Sequence, residues 1–161
     1  MKKAVFRILN YFKAVCLLIL LICIPRQMCA QQTTADSLLK ALKSAPEDTS
    51  TVNLLNNLFK EYQNDDPTKA LKYSKQALEL AAKLGFQRGI ASSYNNIGFA
   101  CFNNGNTNDA LDNYLKALEI FNDIGFKKGS SITLANIGNL FYSQGNYPKT
   151  IEYYLQSLSL A

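Results

Sequence analysis

The feature that most restricts the fold of this chain is an internal repeat with a period of 40 residues. Residue pairs and triplets recur at this offset, such as Ala77–Leu78 with Ala117–Leu118 and Asn96–Ile97–Gly98 with Asn136–Ile137–Gly138. In the first copy the matching triplet is Asn57–Leu58–Phe59, displaced by one residue because its loop is shorter. A short repeat cannot bury its apolar face alone, so the copies are predicted to stack into an array.

Each copy is predicted to contain two helices. In the first helices, large residues follow the spacing of a buried stripe; they are Leu55, Leu58 and Tyr62, then Tyr94, Ile97 and Cys101, then Leu134, Ile137 and Phe141. The second helices carry Ala70, Ser74, Ala77 and Leu78, then Ala110, Tyr114, Ala117 and Leu118, then Thr150, Tyr154, Ser157 and Leu158. Asp66, Asn106 and Asn146 are expected N-caps. Gly85, Gly105, Gly125 and Gly145 fit left-handed helix ends, and Gly89 and Gly129 are also expected to be caps.

These residues resemble the tetratricopeptide repeat over about residues 49–161, as units 49–89, 90–129 and 130–161. The second unit matches best, with Tyr94, Ile97, Gly98, Ala110, Tyr114 and Ala117 at the family's characteristic positions. Phe59 departs from the pattern at a glycine position and Cys101 at an aromatic one, and the terminal proline is absent, as in the longer variety with a 40-residue period. The resemblance implies an all-α fold, a right-handed superhelical solenoid of helix-turn-helix repeats with a concave groove.

The basic charge of the chain belongs to its first 30 residues. They contain five cationic and no acidic side chains, whereas the remaining 131 residues carry 12 of each sign. The apolar run Ala14–Ile24 follows the cations and is too short to span a bilayer. Residues 1–30 are therefore predicted to be a signal peptide cleaved before Gln31, with an uncleaved membrane anchor as the alternative. Residues 31–48 are predicted to be a linker and an N-terminal capping helix, and the localisation to be periplasmic or, for the anchor, facing the periplasm.

The residue types present argue against an enzyme. The chain has no histidine, and Cys101 is the single cysteine after the leader, which leaves no usual zinc site and no His-based catalysis. No glycine-rich phosphate loop occurs. Cys101 lies on an inward stripe and is expected to be structural. We therefore expect no cofactor, no metal, no catalytic residue and, since the charge belongs to the leader, no nucleic-acid partner.

The resemblance implies that the first helix of each unit lines the groove. The residues carried over to groove positions are Asn57, Lys60, Gln63, Asn95, Asn96, Phe99, Phe102, Asn103, Asn136, Asn139 and Tyr142. Asparagine can bond a peptide backbone, and exposed aromatic rings supply contact area. Alternatively, Asn57, Asn96 and Asn136 bond neighbouring helices, and Phe99 and Phe102 are partly buried. Some relatives grip a C-terminal carboxylate with several cations, but Lys60 is the single cation expected here, so that clamp is not predicted.

The predicted function is protein–protein interaction, by binding a peptide or protein segment in the groove. The resemblance to exported arrays of this type implies the sensory N-terminal part of a longer membrane signalling protein, with a membrane contact through the leader or a downstream segment. A free-standing periplasmic scaffold or assembly factor is the alternative. Because the last helix has no successor to cover Tyr147, Ile151, Tyr154 and Leu158, we also expect either further chain or self-association there.

Overall fold

The structure is a computed structural model that describes residues 34–160, so the predicted signal peptide, residues 1–30, lies outside them. Within this range every regular element is helical. A first helix, α1, covers residues 34–43. The others are α2 (Thr49–Tyr62), α3 (Pro67–Lys83), α4 (Gln87–Asn103), α5 (Thr107–Asp123), α6 (Lys127–Ser143) and α7 (Tyr147–Leu160). None of the described helices is long and apolar enough to cross a membrane.

Glycines end four of these helices as the sequence predicts. Gly85, Gly105, Gly125 and Gly145 have φ values between 64° and 79°. After α3, for example, the Gly85 N–H donates to the Ala82 carbonyl at 3.2 Å and the Phe86 N–H donates to the Ala81 carbonyl at 2.9 Å. This pair of bonds satisfies carbonyls that the helix end would otherwise leave unpaired.

The predicted N-caps differ in what their side chains do. The Asp66 carboxylate accepts a hydrogen bond from the Lys69 N–H at 2.9 Å, and the Asn146 side chain accepts one from the Lys149 N–H at 3.3 Å. Asn106 occupies the N-cap position of α5 but makes no side-chain capping bond. The expectation of a capping bond is therefore wrong for Asn106, whose place in the turn rests on backbone bonds.

The helices pair and stack along the chain. α2 packs on α3, α4 on α5 and α6 on α7, and α3 and α5 also contact the first helix of the following pair. The first helices α2, α4 and α6 contact one another in sequence, whereas within residues 34–160 the second helices α3, α5 and α7 do not. The array therefore bends with the first helices on its inner side. This arrangement confirms the predicted all-α solenoid.

Four further glycines lie inside helices, where a side chain would collide with a neighbour. A Cβ on Gly98 would lie 2.7 Å from the Tyr114 ring, and one on Gly138 would lie 2.6 Å from the Tyr154 ring. Gly89 and Gly129 are equally tight against Phe86 and Phe121. Gly89 and Gly129 are thus not caps, because they are helical residues that let aromatic rings approach the backbone.

Burial follows the predicted stripes in most of the array. Leu58, Ala77, Ala110, Ala117 and Ile137 are fully buried. The α4 stripe is less enclosed, since its three predicted residues are only half-buried. The outer face of α7 is open, with large side chains that are 39–72% exposed at Tyr147, Ile151, Tyr154, Leu155 and Leu158. At the other end, Leu38, Leu39 and Leu42 of α1 pack against the α2–α3 core.

Candidate functional site

A groove of about 510 Å³ runs across the inner side of the array. Its lining comes mainly from the first helices α2, α4 and α6. The polar lining residues are Asn53, Asn56, Asn57, Lys60, Arg88, Ser92, Asn95, Asn96, Lys128 and Thr133, and the others are Phe86, Phe121, Phe126, Gly129 and Ile132. "The groove" refers to this set below.

Asparagines join each first helix to the next. The Asn96 amide donates to the Asn56 side-chain oxygen at 2.9 Å, and the Ser93 hydroxyl donates to the same oxygen at 3.3 Å. One unit later the Asn136 amide donates to the Asn95 side-chain oxygen at 3.0 Å. The Thr133 hydroxyl donates to that oxygen at 3.1 Å. The same bonds thus link α2 to α4 and α4 to α6.

In this pattern the side-chain oxygens of Asn56 and Asn95 accept hydrogen bonds, and their amide NH₂ groups take no part. Asn56 is 7% exposed, and its Nδ2 has no hydrogen-bond partner within the described part of the chain. A buried amide without a partner costs about 1–3 kcal/mol. This donor belongs to the groove lining but is itself shielded from solvent, so an added acceptor would reach it only with a shift of the side chain.

Phenylalanines form the apolar wall of the groove. Phe121 and Phe126 contact each other with ring centroids 5.5 Å apart. The Arg88 guanidinium lies 4.0 Å from the centroid of the Phe126 ring, a cation–π contact that holds its plane in place. Ile132 is 49% exposed at the same surface. The groove thus combines apolar area with hydrogen-bond donors.

Three cations line the groove, where the sequence predicted one. Lys60 is joined by Arg88 and Lys128, all three exposed. The prediction was wrong because it counted only helix positions carried over from the family, whereas Arg88 and Lys128 lie in the first turns of α4 and α6. No Asp or Glu is among the lining residues.

The predicted groove residues fall into two groups. Four of them line the groove, namely Asn57, Lys60, Asn95 and Asn96. The others lie elsewhere on the first helices: Gln63, Phe99, Phe102, Asn103, Asn136, Asn139 and Tyr142. Phe99 and Phe102 are half-buried against the cores, with Phe99 edge-on to Phe59 at 6.1 Å between centroids. Asn139 accepts a bond from the Tyr154 hydroxyl at 2.5 Å, and Tyr142 is 61% exposed.

Helical periodicity could have found the missed residues. Steps forward of four and then of three to four residues along α4 lead from Arg88 through Ser92 to Asn95 and Asn96, all on one face. Steps of four residues along α6 join Lys128 to Ile132 and Gly129 to Thr133. The groove thus occupies the first halves of α4 and α6. The second halves, where Phe99 and Phe102 lie, fill the core instead.

Cys101 shows the properties of a packed thiol. It is half-buried against the core around Tyr114 and Ile137. Burial raises the pKa of the thiol and the Asp109 carboxylate adds to the rise, while Lys75 opposes it. A thiol with a raised pKa is a poor nucleophile at neutral pH. Among residues 34–160 no cluster of His, Cys, Asp and Glu could hold a metal ion.

Comparison with known families identifies the array. A family model of the tetratricopeptide repeat matches residues 58–123 and again residues 89–161, which together make up more than half of the chain. The chain belongs to the tetratricopeptide repeat family. Members of this family bind protein or peptide partners, so the chain is a protein-interaction module, and its fold is generally a non-catalytic scaffold. A search among curated proteins finds no match.

Solved structures share the fold. One is a signal transduction ATPase with numerous domains from Pyrococcus horikoshii, which carries a tetratricopeptide repeat sensor. Its sequence is 26% identical, and the match has a TM-score of 0.70 and covers 86% of this chain and 22% of that chain. A Rap protein complexed with competence and sporulation factor is 21% identical, with a TM-score of 0.69, and the match covers 81% of this chain and 37% of that chain. BtubC from P. vanneervenii is 19% identical, with a TM-score of 0.66, and the match covers 84% of this chain and 57% of that chain. The chain spans 57% or less of each of these proteins.

Proposed function

We propose that the groove binds an extended segment of a partner protein. The observation that carries the proposal is the meeting of apolar and hydrogen-bonding groups on one concave surface. Asn57 and Lys60 are exposed there, and within residues 34–160 the Asn56 amide is unpartnered. Phe126 and Ile132 lie on the same surface. An extended peptide presents backbone carbonyls and apolar side chains together, so both sets of groups would be used.

A selection of random displayed peptides on the full chain tests this proposal. We expect the selected peptides to compete with one another and to bind the variant Asn57→Ala/Ile132→Ala at least about tenfold more weakly, because hydrogen bonds and apolar contacts at a pocket each contribute about 1 kcal/mol or more. Both side chains are exposed, so the variant should fold normally. The control Asn108→Ala/Ile124→Ala removes equally exposed residues outside the groove. Equal loss in both variants would contradict groove binding.

We further propose that this module is exported and serves as the sensory part of a longer membrane signalling protein. The basic, apolar leader supports export. The likeness to a signal transduction ATPase that carries a tetratricopeptide repeat sensor, at 26% identity, supports a sensory role. N-terminal sequencing of the protein recovered from cells should give Gln31 as the first residue. An intact Met1 in a membrane fraction would instead indicate an anchored protein.

A free-standing scaffold for assembly of other proteins is the alternative within the same class. The two differ in what the gene encodes after the codon for Ala161. A membrane-spanning segment followed by a kinase or regulator domain would support the sensory role. A stop codon at that point would support the scaffold.

A further inference from the structure

Cations occur in the groove at places where the helices themselves disfavour them. Arg88 and Lys128 occupy the first turns of α4 and α6, and the first turns of both helices lack acidic residues. The N-terminus of a helix carries a positive partial charge, so a cation there is destabilising. Two successive units keep this arrangement. The cost is explained if an anion is bound at these helix ends.

The cations also lack acidic partners among the described residues. Neither Lys60, Arg88 nor Lys128 forms an ion pair within residues 34–160, where the pair that does form is Lys83 with Glu47. Phe86 and Phe126 hold the N-cap positions and offer no side-chain oxygen to the first-turn N–H groups. Positive charge in a concave surface without acids attracts anions more strongly than the same charge on a flat surface.

A second, independent observation is a buried donor without a partner in the lining of the groove. Asn56 is more than nine-tenths buried and lines the groove, and its Nδ2 donates to no described residue. Carboxylate and backbone carbonyl oxygens are the acceptors that a peptide supplies. The groove is thus rich in donors, and Asp and Glu carboxylates are absent from its lining.

We propose that the groove selects an acidic segment of the partner protein, with Asp or Glu side chains bound by Arg88 and Lys128 and an intervening apolar residue against Phe126 and Ile132. This inference rests on the proposed peptide-binding function and names the chemistry of the partner. Arg88 suits the role because its guanidinium, already stacked on Phe126, can bind a carboxylate through two parallel hydrogen bonds.

The spacing of the acids follows from the packing of the helices. Arg88 and Lys128 lie at equivalent positions of α4 and α6, which contact each other. Packed helices lie roughly 8–10 Å apart. A segment in the polyproline II conformation advances about 3.1 Å per residue with three residues per turn, so every third side chain lies on the same face about 9 Å further along. Carboxylates at every third residue of such a segment would therefore meet the two cations in turn.

Direct binding of synthetic peptides to the full chain tests the proposal. The probe is a capped dodecapeptide that repeats Glu-Leu-Ser, labelled with a neutral fluorophore and measured by fluorescence anisotropy. The matched probe repeats Gln-Leu-Ser. We expect the acidic probe to bind at least about tenfold more tightly, and its affinity to fall as salt is raised, because screening weakens exposed ion pairs. Equal affinities for the two probes would overturn the proposal.

Variants locate the binding and use a charge-matched control. Arg88→Gln and Lys128→Gln should each weaken the acidic probe about tenfold, since a hydrogen bond to a charged group contributes about 1.5 kcal/mol or more. Their double variant should bind both probes equally. Lys128 makes no side-chain bond that folding needs, so its variant remains informative if Arg88→Gln proves unstable. Lys72→Gln/Lys75→Gln removes the same charge from exposed positions of α3 and should change nothing. An equal loss in that control would show a net-charge effect and refute the site.

Two other anions are tested in the same assay. One further probe is the Gln-Leu-Ser peptide with a free C-terminal carboxylate. If it bound as tightly as the capped acidic probe, the groove would be recognising a chain end. Tighter binding of a thymidine oligonucleotide of equal charge would indicate nucleic acid. Either result would overturn the proposal. The displayed peptides selected on the chain could instead be neutral and bind Asn57→Ala/Ile132→Ala more weakly. That result would support peptide binding in the groove and refute the preference for acidic segments.

Discussion

The close contact between Gly98 and Tyr114 makes a prediction with a built-in control. In Gly98→Ala the new Cβ would lie 2.7 and 2.8 Å from two ring carbons of Tyr114 and 3.1 Å from the Ala110 carbonyl oxygen. An ordinary contact is about 3.4 Å or longer, so the ring must move by several tenths of an ångström. Tyr114 is 1% exposed and packs with Ile137 and Leu140. The ring therefore has no free space to enter.

The size of the effect follows from two opposing contributions. Replacing glycine with alanine inside a helix stabilises by about 0.5–1 kcal/mol. Overfilling a packed core costs about 1–3 kcal/mol. Because Tyr114 is enclosed and a backbone oxygen also stands in the way, we expect the second contribution to dominate, with a net loss of about 1–2 kcal/mol. For a chain of this length that corresponds to a fall in Tm of about 2–8 °C.

Gly138→Ala is the matched control. The same collision occurs there, at 2.6 and 2.7 Å from ring carbons of Tyr154, but Tyr154 is 39% exposed and can swing outward. The movement breaks the hydrogen bond from the Tyr154 hydroxyl to Asn139. The higher helix propensity of alanine over glycine offsets that loss. The free energy of unfolding should change by less than about 0.5 kcal/mol. Urea unfolding followed by circular dichroism measures both variants. Equal destabilisation of the two would refute the argument from enclosure.

Three further predictions concern the caps, the thiol and the last helix. Asp66→Ala should lose about 1 kcal/mol of unfolding free energy because it removes a capping bond, while Asn106→Ala, which removes none, should lose less in the same urea assay. Thiol reagents should label Cys101 slowly in the folded chain and rapidly in urea, because burial raises the pKa of the thiol and keeps it protonated. Labelling of the folded chain should therefore begin at a higher pH than labelling in urea. Equal labelling rates in the two states would place the thiol at the surface. The exposed face of α7 should drive self-association that increases with concentration, as measured by sedimentation. The variant Leu155→Lys/Leu158→Lys should reduce this association, and the control Leu115→Lys on α5 should leave it unchanged. A wild-type chain that stays monomeric at every concentration would contradict the prediction.

The fold could be predicted because its determinants are local and repeated. The stripe of Ala110, Tyr114 and Ala117 and the glycine ends lie within single helices or single turns, so periodicity alone places them. The errors arose where one residue type serves two purposes. Gly85 and Gly89 occur close together, yet Gly85 ends a helix with a positive φ whereas Gly89 accommodates an aromatic ring. The backbone conformation of Gly85 and the packing of Phe86 and Val52 on Gly89 distinguish them.

The groove was predicted less completely, because its composition depends on how helices from different units lie against one another. Asn96 and Asn136 resemble groove residues in sequence, but each uses its amide to bond the preceding first helix. Their predicted alternative, bonding between helices, is therefore the one observed for these two residues. Arg88 and Lys128 were missed because they lie at the start of their helices, which a list of family positions does not include.

The asparagine bonds connect the stability of the array to its binding surface. Each bond between first helices uses the side-chain oxygen of one asparagine, Asn56 or Asn95, and among the described residues the Asn56 amide then has no acceptor. Because the bonded oxygen and the remaining amide belong to the same side chain, the bond that joins α2 to α4 also orients the Asn56 donor. The third unit has Ala135 at the equivalent position, so it offers no amide to a following helix. The bonds between asparagines consequently occur at the two junctions between the three first helices, α2 with α4 and α4 with α6.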